Sequence, residues 1–473
     1  MILQRYNIPG GARKVLLVNP PVYDVHYSPE WSQPSGLLRI ATVLRQKGAE
    51  VALLDCLYGV EAFLPKETGV AFERGGHIIP QHHYGISLEQ FAKQLADLSF
   101  YPDEVYVTSV MTYWWPSTRD VIRIVKDFYP EARVVLGGIY PTLAPEHAAE
   151  HTEADIVVVG EVEEASFAWE DLSLYQNPPN YAIIFPSRGC PHRCSYCAQN
   201  VINGKGMRFR EPEDVVDEIE FVIERYGIRR FGIFADNFLS DARGKGRNPQ
   251  FQRLMETIVE RGLEIIPEAP KGMEPRLLDL KLLIIMREAG WREICLSFES
   301  VSEKRRRGWG RRHNTNAEFE RAVSLCREAG FHSHEISGFL LYGMPGEVLN
   351  EVVEGAYYLN SLAIRITPMA FTPVPGSGMY RKYEGYFRDK GLGLVDLNGR
   401  LFPMAELNGY RFEDYLELDK LFEELNSAVQ PSKDLRTSSP EFDTAFHGLK
   451  EGTLKACFPR SSRTALYPVA SIA

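Results

Sequence analysis

Three cysteines in one short loop are the residues of this sequence with the most evident chemistry. Cys190, Cys194 and Cys197, the cysteine loop, have three and then two residues between them. Three thiolates on one tight loop can hold three irons of a [4Fe–4S] cube and leave the fourth iron open. A zinc site needs a fourth ligand, and His192 lies inside the loop, where it is badly placed to close a tetrahedron. The spacing therefore favours an iron–sulfur cluster with one open iron.

The cysteine loop follows the first of several predicted strands that alternate with helices. These strands are predicted at 182–186, 230–234, 263–267, 293–298, 335–341 and about 364–370. The helices between them are predicted at 213–226, 251–261, 278–289 and 317–329. About six βα units are typical of a barrel or partial barrel of the TIM type, which places its chemistry at the carboxyl ends of the strands. The cysteines stand at such an end.

The first part of the chain shows a shorter alternation of strands and helices. Strands are predicted at 14–22 (with the exit loop), 51–55, 104–110, 133–136 and 154–159, helices at 36–47 and 117–128, and a polar insertion at about 60–90. This order predicts a doubly wound parallel sheet that binds ligands at its strand ends. The predicted fold class is α/β. Its predicted parts are a sheet domain at 1–165, a linker at 166–181, a barrel at 182–382 and a mainly helical C-terminal extension at 383–473.

The composition excludes several other classes of protein. The 473 residues are 44% hydrophobic and 25% charged, which excludes wholesale disorder and fibrous folds. Acidic residues outnumber basic ones by 63 to 53, so nucleic-acid binding is not expected. No apolar run approaches the roughly 18–20 residues of a membrane helix, and Met1–Tyr6 lacks the layout of a signal peptide. We therefore expect a cytoplasmic protein without a membrane span.

The cysteine loop resembles the signature of radical S-adenosylmethionine (SAM) enzymes, with an aromatic residue, Tyr196, before the last cysteine. Later segments also resemble motifs of that family: Arg210–Ile223, Phe234–Phe238, Leu296–Ser300, Gly343–Glu347 and Thr372–Gly376. The match covers about residues 182–382. The resemblance implies a [4Fe–4S] cluster on the three cysteines. Its open iron would chelate SAM, and its electron would split SAM to give a 5′-deoxyadenosyl radical.

The same resemblance implies further cofactor-binding residues. They are Tyr196, Asp236, Glu299, Gly343, Pro345, Gly346 and Glu347. A tight glycine turn lets backbone amides approach a polar ligand closely, which suits the segment that begins at Gly343. From the residues alone, Glu299 could equally form an ordinary salt bridge, and Asp236 could merely cap a turn.

The predicted sheet domain resembles the cobalamin-binding domain of one class of that family. Gly137–Thr142 and Gly160–Glu161 resemble the last loops of such a domain. The resemblance implies that cobalamin lies along the strand ends, held by Ser109, Tyr113, Trp114, Gly137, Gly138 and Gly160. The sequence has no Asp-x-His-x-x-Gly motif, so we do not expect a protein imidazole below the cobalt. Two alternatives stay open: the aromatics are ordinary core residues, or the domain is degenerate and empty.

Two clusters fall outside the family pattern. Lys304–His313 carries many cations shortly after Glu299 and could neutralise a phosphate or carboxylate, with Trp309 stacked on a ring. We favour a solvated loop for this basic run. Gly75–Tyr84 contains several histidines that could form a metal tract, although their spacing is not helical.

Together these features predict an enzyme with a [4Fe–4S] cluster, SAM and cobalamin. The expected reaction is methyl transfer to an unactivated carbon or phosphorus centre of a small molecule, supported by a reducing partner such as flavodoxin or ferredoxin. One alternative is a radical cyclisation, oxidation or rearrangement without cobalamin, and another is a non-enzymatic iron–sulfur sensor. Residues 1–189 contain only Cys56, which argues against the second cluster of tRNA methylthiotransferases.

Overall fold

A computed structural model describes residues 1–26, 33–59, 65–204, 206–269, 271–312 and 314–429. His313 of the basic run and the predicted extension beyond 429 lie outside these residues. Within the described ranges, no helix combines the length and the apolar character that a membrane crossing requires. The α/β fold class is confirmed, because parallel strands alternate with helices in both halves of the chain.

The N-terminal half contains the predicted doubly wound sheet. Its elements are β1 (Ile2–Leu3), β2 (Lys14–Asn19), β3 (Val22–Asp24), α1 (Ser35–Gln46), β4 (Glu50–Asp55), β5 (Lys66–Arg74), β6 (His77–Tyr84), α2 (Leu88–Ala96), β7 (Glu104–Ser109), α3 (Trp115–Phe128), β8 (Arg133–Gly138), α4 (Ile139–Leu143), α5 (Pro145–His151) and β9 (Ile156–Val158). The sheet order is β1-β9-β8-β7-β2-β4, and all neighbours are parallel. The chain reverses its winding between β2 and β7, so a ligand crevice is expected at the ends of these two strands.

The segment at 60–90, expected only as a polar insertion, contains an antiparallel hairpin. β5 pairs with β6, and β6 also pairs with β3. His77 Nε2 lies 2.8 Å from Glu413 Oε1, and His83 Nε2 lies 2.8 Å from the carbonyl oxygen of Ile86. In the part of the chain that the structure describes, no three ligating side chains converge on a single metal ion. The described residues of Gly75–Tyr84 therefore give no support to a metal tract, which the spacing of the histidines had already disfavoured.

The second half forms the predicted partial barrel. Its elements are β10 (Tyr181–Ile184), β11 (Ser187–Arg188), α6 (Gln199–Ile202), β12 (Arg208–Phe209), α7 (Pro212–Tyr226), β13 (Arg230–Ile233), α8 (Pro249–Glu260), β14 (Ile266–Glu268), α9 (Leu280–Glu288), β15 (Ile294–Glu299), α10 (Glu303–Gly308), α11 (Asn316–Glu328), β16 (Ile336–Tyr342), α12 (Leu349–Ser361) and β17 (Arg365–Ala370). The strands form two parallel segments, β10-β13-β14 and β15-β16-β17. A bridge from Met273 to Leu296 joins the two segments. The result is an open barrel whose strand ends face the sheet domain.

Helices of the C-terminal region close one side of this barrel. They are α13 (Gly378–Asp389), α14 (Ala405–Asn408) and α15 (Phe412–Ser427). Tyr415 and Phe422 of α15 are buried in the same hydrophobic core as the barrel strands. The predicted domain limit at 382 falls inside α13, so the extension continues a barrel element without a linker.

A buried arginine connects the two halves. Arg39 of α1 is 1% exposed, and its guanidinium donates to the carbonyl oxygens of Ala168 and Ile183. The same group lies 3.9 Å from Glu170 of the linker and 3.7 Å from Glu218 of α7. One cation of the sheet domain thus neutralises carboxylates of the linker and the barrel, so relative motion of the two halves would expose buried charge.

Replacing this arginine tests the connection. We expect Arg39→Met to lower the free energy of unfolding by about 3–5 kcal/mol, because Glu170 and Glu218 lose a buried cation. The control is Arg45→Met on the same helix, whose side chain is 42% exposed and pairs with Asp171 at 2.9 Å. That exposed pair is worth at most about 1 kcal/mol. Urea unfolding of the full chain measures both variants, and equal losses would contradict the assignment.

Candidate active site

The cysteine loop begins directly after β11, at the carboxyl end of the first barrel strand. In the described part of the chain the cysteines are free thiols, and those of the loop are partly buried. Burial, together with the charge of the neighbouring thiols, raises the pKa of Cys190 to about 11 and of Cys197 to about 12. Such thiols become thiolates only when a cation compensates them, which metal coordination provides.

The other side chains decide between zinc and a cluster. His192, the only histidine inside the loop, places Nε2 3.2 Å from Glu274 Oε2 and is held by that carboxylate. Across the described ranges, no three His, Cys, Asp or Glu side chains converge tightly enough for one ion. In a [4Fe–4S] cube each thiolate binds a different iron, so three cysteines without a fourth protein ligand suit a cluster better than zinc.

Asp236 fastens the cysteine loop to the barrel. Its Oδ2 accepts from Gly189 N at 2.7 Å and from Asn203 Nδ2 at 2.6 Å, while Lys271 Nζ donates to Oδ1 at 3.1 Å. Gly189 has φ +90°, and a Cβ there would lie 2.0 Å from the carbonyl oxygen of Gly206. The loop can therefore turn only at glycine. The structure gives Asp236 this positioning contact, whereas the adjacent Asn237 caps a turn through Ser240 N.

The basic run is structured, and its interpretation as a solvated loop is wrong. Part of it forms α10, in which Arg306 is 1% exposed. Trp309 is 6% exposed, its carbonyl oxygen accepts from Ser195 N at 2.8 Å, and its ring meets Tyr196 edge-on with centroids 6.2 Å apart. The run therefore packs against the cysteine loop, with its aromatic ring turned inward.

Arg311 of the same run is a site residue that the sequence analysis missed. Its Nη2 donates to Glu299 Oε1 at 2.5 Å. Glu299 ends β15 with φ +62°, a strained conformation for a residue with a side chain. Glu299 Oε2 and Arg311 Nε are buried and have no hydrogen-bond partner among the described residues. One acceptor and one donor are thus left for a polar ligand beside Cys194. The feature of the sequence that could have indicated Arg311 is its position shortly after the end of a strand.

The Gly343–Glu347 turn is closed by its own glutamate. Glu347 Oε1 accepts from Gly343 N at 3.0 Å, and Oε2 accepts from Met344 N at 3.2 Å. Gly346 N donates to Asn408 Oδ1 at 2.7 Å, and Pro345 lies between these anchored residues. These backbone amides are engaged within the protein, so the turn can position neighbouring residues without offering the amides to SAM.

One cleft joins the end of the sheet to the end of the barrel. It encloses about 1190 Å³, including space open to solvent. Ser109 and Trp114 line it from the sheet, and Phe234, Asp236 and Lys271 line it from the barrel. The sequence predicted that the strand ends of the sheet face the barrel, and the two ends do line one cavity.

The sheet-side glycines differ in what they do. Gly138 has φ +106°, and a Cβ there would lie 2.4 Å from the carbonyl oxygen of Ser109, so it allows close strand packing. A Cβ at Gly137 or Gly160 would meet nothing within 4 Å. These two stretches of backbone are open to a ligand.

The sheet-side aromatics also differ. Trp114 Nε1 donates to Asp24 Oδ2 at 2.7 Å, which fixes its ring at the cleft. Tyr113 is 7% exposed and packs edge-on against Trp114 with centroids 6.1 Å apart. Tyr113 is therefore a buried packing partner of Trp114.

Known protein families match both halves of the chain. Residues 184–356 match the Radical SAM superfamily, and residues 28–168 match the B12 binding domain. This chain carries a B12-binding domain followed by a radical SAM domain and is an enzyme. The predicted set of cofactors, a [4Fe–4S] cluster, SAM and cobalamin, is confirmed as the set that these two domains imply.

Curated relatives share most of the chain length. Cytidylyl-2-hydroxyethylphosphonate methyltransferase of Streptomyces wedmorensis is 23% identical, covering 84% of this chain and 85% of the relative. Bacteriochlorophyllide d C-12(1)-methyltransferase of Chlorobaculum tepidum is 24% identical, covering 82% of each. The similarity spans both domains in each case.

Solved structures share the fold. The radical SAM methyltransferase TsrM from Kitasatospora setae, with cobalamin and a [4Fe–4S] cluster bound, matches with a TM-score of 0.60 and 19% identity over 80% of this chain and 78% of TsrM. The cobalamin-dependent SAM radical enzyme OxsB matches with a TM-score of 0.54 and 14% identity over 89% of this chain and 63% of OxsB. The shared fold extends over both domains of this chain in each match.

The residues of this enzyme fit the groups that its domains imply. The unpartnered atoms of Glu299 and Arg311 suit the charged and polar groups of SAM. On the B12-binding side, Gln33 Oε1 is buried at the cleft without a partner among the described residues, and a Cβ at Gly36 would meet nothing within 4 Å. An acceptor and open backbone therefore face the space in which a large cofactor would lie.

The glutamate of the Gly343–Glu347 turn makes stability depend on pH. Burial raises the pKa of Glu347 to about 7. The folded chain then binds this proton more tightly than the unfolded chain, so the stabilising contribution is full below about pH 4 and is lost as pH rises to about 7. The contribution is at most about 3 kcal/mol. We expect Glu347→Gln to flatten this slope in urea unfolding between about pH 4 and about pH 8.

Glu354→Gln on α12 is the matched control, because this glutamate is exposed and lies outside the turn. It should retain the slope of the unaltered chain. A slope that survives in Glu347→Gln would show that another group causes it.

Proposed function

We propose that this enzyme transfers a methyl group from SAM, by way of cobalamin, to an unactivated carbon or phosphorus centre of a small molecule. The main observation in favour of this proposal is that one cleft is lined both by Ser109 of the sheet domain and by Asp236, which holds the cysteine loop. Two curated relatives named as methyltransferases of a phosphonate and of a bacteriochlorophyllide support the same reaction class. Methyl transfer requires cobalamin, the methyl donor on the sheet side, and SAM on the cluster, the radical source on the barrel side, to reach the same space.

The proposed roles of the residues follow their positions. Cys190, Cys194 and Cys197 ligate the cluster, and Glu299 with Arg311 holds polar groups of SAM. The strand-end backbone at Ser109, Gly137 and Gly160 supports cobalamin, with Trp114 packed beside it. When bound, the cluster supplies one electron for SAM cleavage and cobalamin carries the methyl group.

Apolar and crowded positions border the barrel side of the cleft. Phe185 and Phe234 are two of its lining residues, and both present aromatic rings. Next to the lining residue Lys271, Phe339 of β16 and Ser297 of β15 approach the backbone of Gly272, where a Cβ would lie 2.6 Å from the phenyl ring and 2.8 Å from the hydroxyl. Apolar rings beside the reacting groups would reduce their contact with water once a substrate is bound.

The electron must come from a redox partner. We propose a small reducing protein such as flavodoxin or ferredoxin and, as from the sequence, a cytoplasmic setting. A small-molecule substrate fits the cleft, which is bounded by two domains of this chain.

The reaction is tested with the anaerobically reconstituted full chain, SAM, hydroxocobalamin and a reductant. We expect 5′-deoxyadenosine that depends on the cluster, and S-adenosylhomocysteine that depends on cobalamin. Cys194→Ala should lose the visible absorbance of the cluster and at least about 99% of 5′-deoxyadenosine formation, because three thiolates are needed to hold the cube. It should still bind cobalamin, since the B12-binding domain is unaltered.

Cys326→Ala is the control, because Cys326 is a buried thiol of α11 outside the cysteine loop. It should retain the cluster. Sustained 5′-deoxyadenosine formation without cobalamin binding would favour the radical reaction without cobalamin, and a cluster that never cleaves SAM would favour a sensor.

Cobalamin binding is tested at Gly36, which lines the cleft at the start of α1. We expect Gly36→Leu to weaken hydroxocobalamin binding at least about tenfold, since a leucine side chain would occupy space for the cofactor, while helix propensity improves. Absorbance titration measures the affinity. Gly10→Leu is the matched control, because a Cβ there also meets nothing within 4 Å and Gly10 does not line the cleft. Unchanged affinity in Gly36→Leu would place cobalamin elsewhere.

A further inference from the structure

Three segments distant in sequence pack against the outer side of the cysteine loop. A Cβ at Gly244 would lie 3.3 Å from His192 and Pro191, and a Cβ at Gly310 would lie 2.8 Å from the carbonyl oxygen of Arg193. Met379 N donates to the carbonyl oxygen of Ser195 at 2.7 Å. The loop between the cysteines is thus framed by residues around 241–246, 307–312 and 378–382.

Each of these segments, and the loop itself, carries exposed cations. We name them the basic rim: Arg193, Arg243, Lys245, Arg312, Arg381 and Lys382. None of them forms an ion pair with a described residue, whereas Arg381 donates to the carbonyl oxygen of Gly376 and Lys382 Nζ lies 5.1 Å from the ring centroid of Tyr383. The whole chain carries a net charge of −10, so a cationic group of this size runs against the overall charge. All six side chains are exposed.

We propose that the basic rim is the docking surface for a small acidic electron-transfer protein. The inference rests on the proposed function, since it assumes a cluster on the three cysteines. In the transfer, one electron leaves the reduced partner and enters the cluster, so the partner is oxidised by one electron and the cluster is reduced by one. Arg193 lies between two of the ligating cysteines, so a partner seated on the rim approaches the cluster through a single loop.

The charge pattern favours an acidic protein over a nucleic acid. Unpaired cations around a redox centre steer an oppositely charged partner and raise its association rate. Binding of single-stranded nucleic acid usually adds aromatic side chains on which bases stack. Here Trp309 is buried and packs edge-on against Tyr196, so these two rings are not available for stacking. The ring of Tyr383, next to the rim, is already contacted by Lys382, whose Nζ lies 5.1 Å from the ring centroid.

Charge reversal tests the docking surface. The variants are the double substitution Arg243→Glu/Lys245→Glu and the single substitution Lys382→Glu, all exposed side chains outside the cleft. The probes are a recombinant acidic flavodoxin, reduced to its hydroquinone, and sodium dithionite. Stopped-flow bleaching of the cluster absorbance gives the reduction rate for each reductant. Calorimetry with oxidised flavodoxin gives its affinity independently of any turnover.

We expect the double variant to slow reduction by flavodoxin at least about tenfold at low ionic strength and to leave reduction by dithionite within about twofold. The difference should shrink above about 0.1 M salt, where the screening length is about 10 Å. Arg243→Lys/Lys245→Arg keeps the charges and should restore the rate. The control Lys93→Glu/Lys420→Glu reverses two exposed cations on α2 and α15 and should leave both reductants unaffected.

Several results would overturn the inference. Flavodoxin rates that are unchanged in the rim variants, or equally reduced in the control, would show that the rim is not the docking surface. Slower reduction by both reductants would show damage to the cluster site. Loss of affinity for a mixed-sequence RNA, with flavodoxin binding intact, would identify a nucleic-acid surface. Failure of the unaltered chain to cleave SAM while its cluster is still reduced would refute the proposed function and leave the docking surface standing.

Discussion

The proposed site depends on one constraint: three thiols on one loop would have to face a single cluster, so the loop must be held in a defined shape. Asp236 imposes that shape through Gly189 N and Asn203 Nδ2, and Lys271 balances its charge. The positive φ of Gly189 lets the chain turn at that point. Asp236, which the sequence suggested as a cofactor-binding residue, thus positions the cysteine loop. A change at Asp236 would move all three sulfurs together.

The second requirement is that both halves of the chain keep a fixed separation across the cleft. Arg39 supplies this by pairing buried carboxylates of the linker and the barrel, and Arg188 adds a contact at the cleft itself. Arg188 Nε lies 2.9 Å from Glu161, in the last loop of the sheet domain. Buried ion pairs of this kind add little net stability, but they penalise any arrangement that separates them. Here these ion pairs fix the position of the sheet domain relative to the barrel on the two sides of the cleft.

Most of the fold could be predicted because its strands and helices have clear periodicities, and the cysteine spacing was specific enough to identify the domain. The predictions failed for features that depend on tertiary contacts between residues distant in sequence. The hairpin β5–β6 is polar in sequence, and Phe72 and Ile79 pack it on the main core while Tyr84 joins a smaller cluster with Trp114. Glu347 was expected to face a ligand, yet its carboxylate closes its own turn. The spacing of residues in a sequence does not predict whether a backbone amide will donate to a ligand or to a nearby side chain of the protein.

The basic run shows why charge composition alone misleads. A solvated loop was the expectation, because clustered like charges repel one another. Helix α10 separates these charges by direction: Arg306 points into the protein and Arg307 stays exposed. Beyond the helix, Arg311 turns to Glu299 while Arg312 faces outward. Adjacent residues of the run thus have different surroundings, since Arg311 pairs with the buried Glu299 and Arg312 is exposed. A stretch of like charge is tolerated when its members do not share one surface.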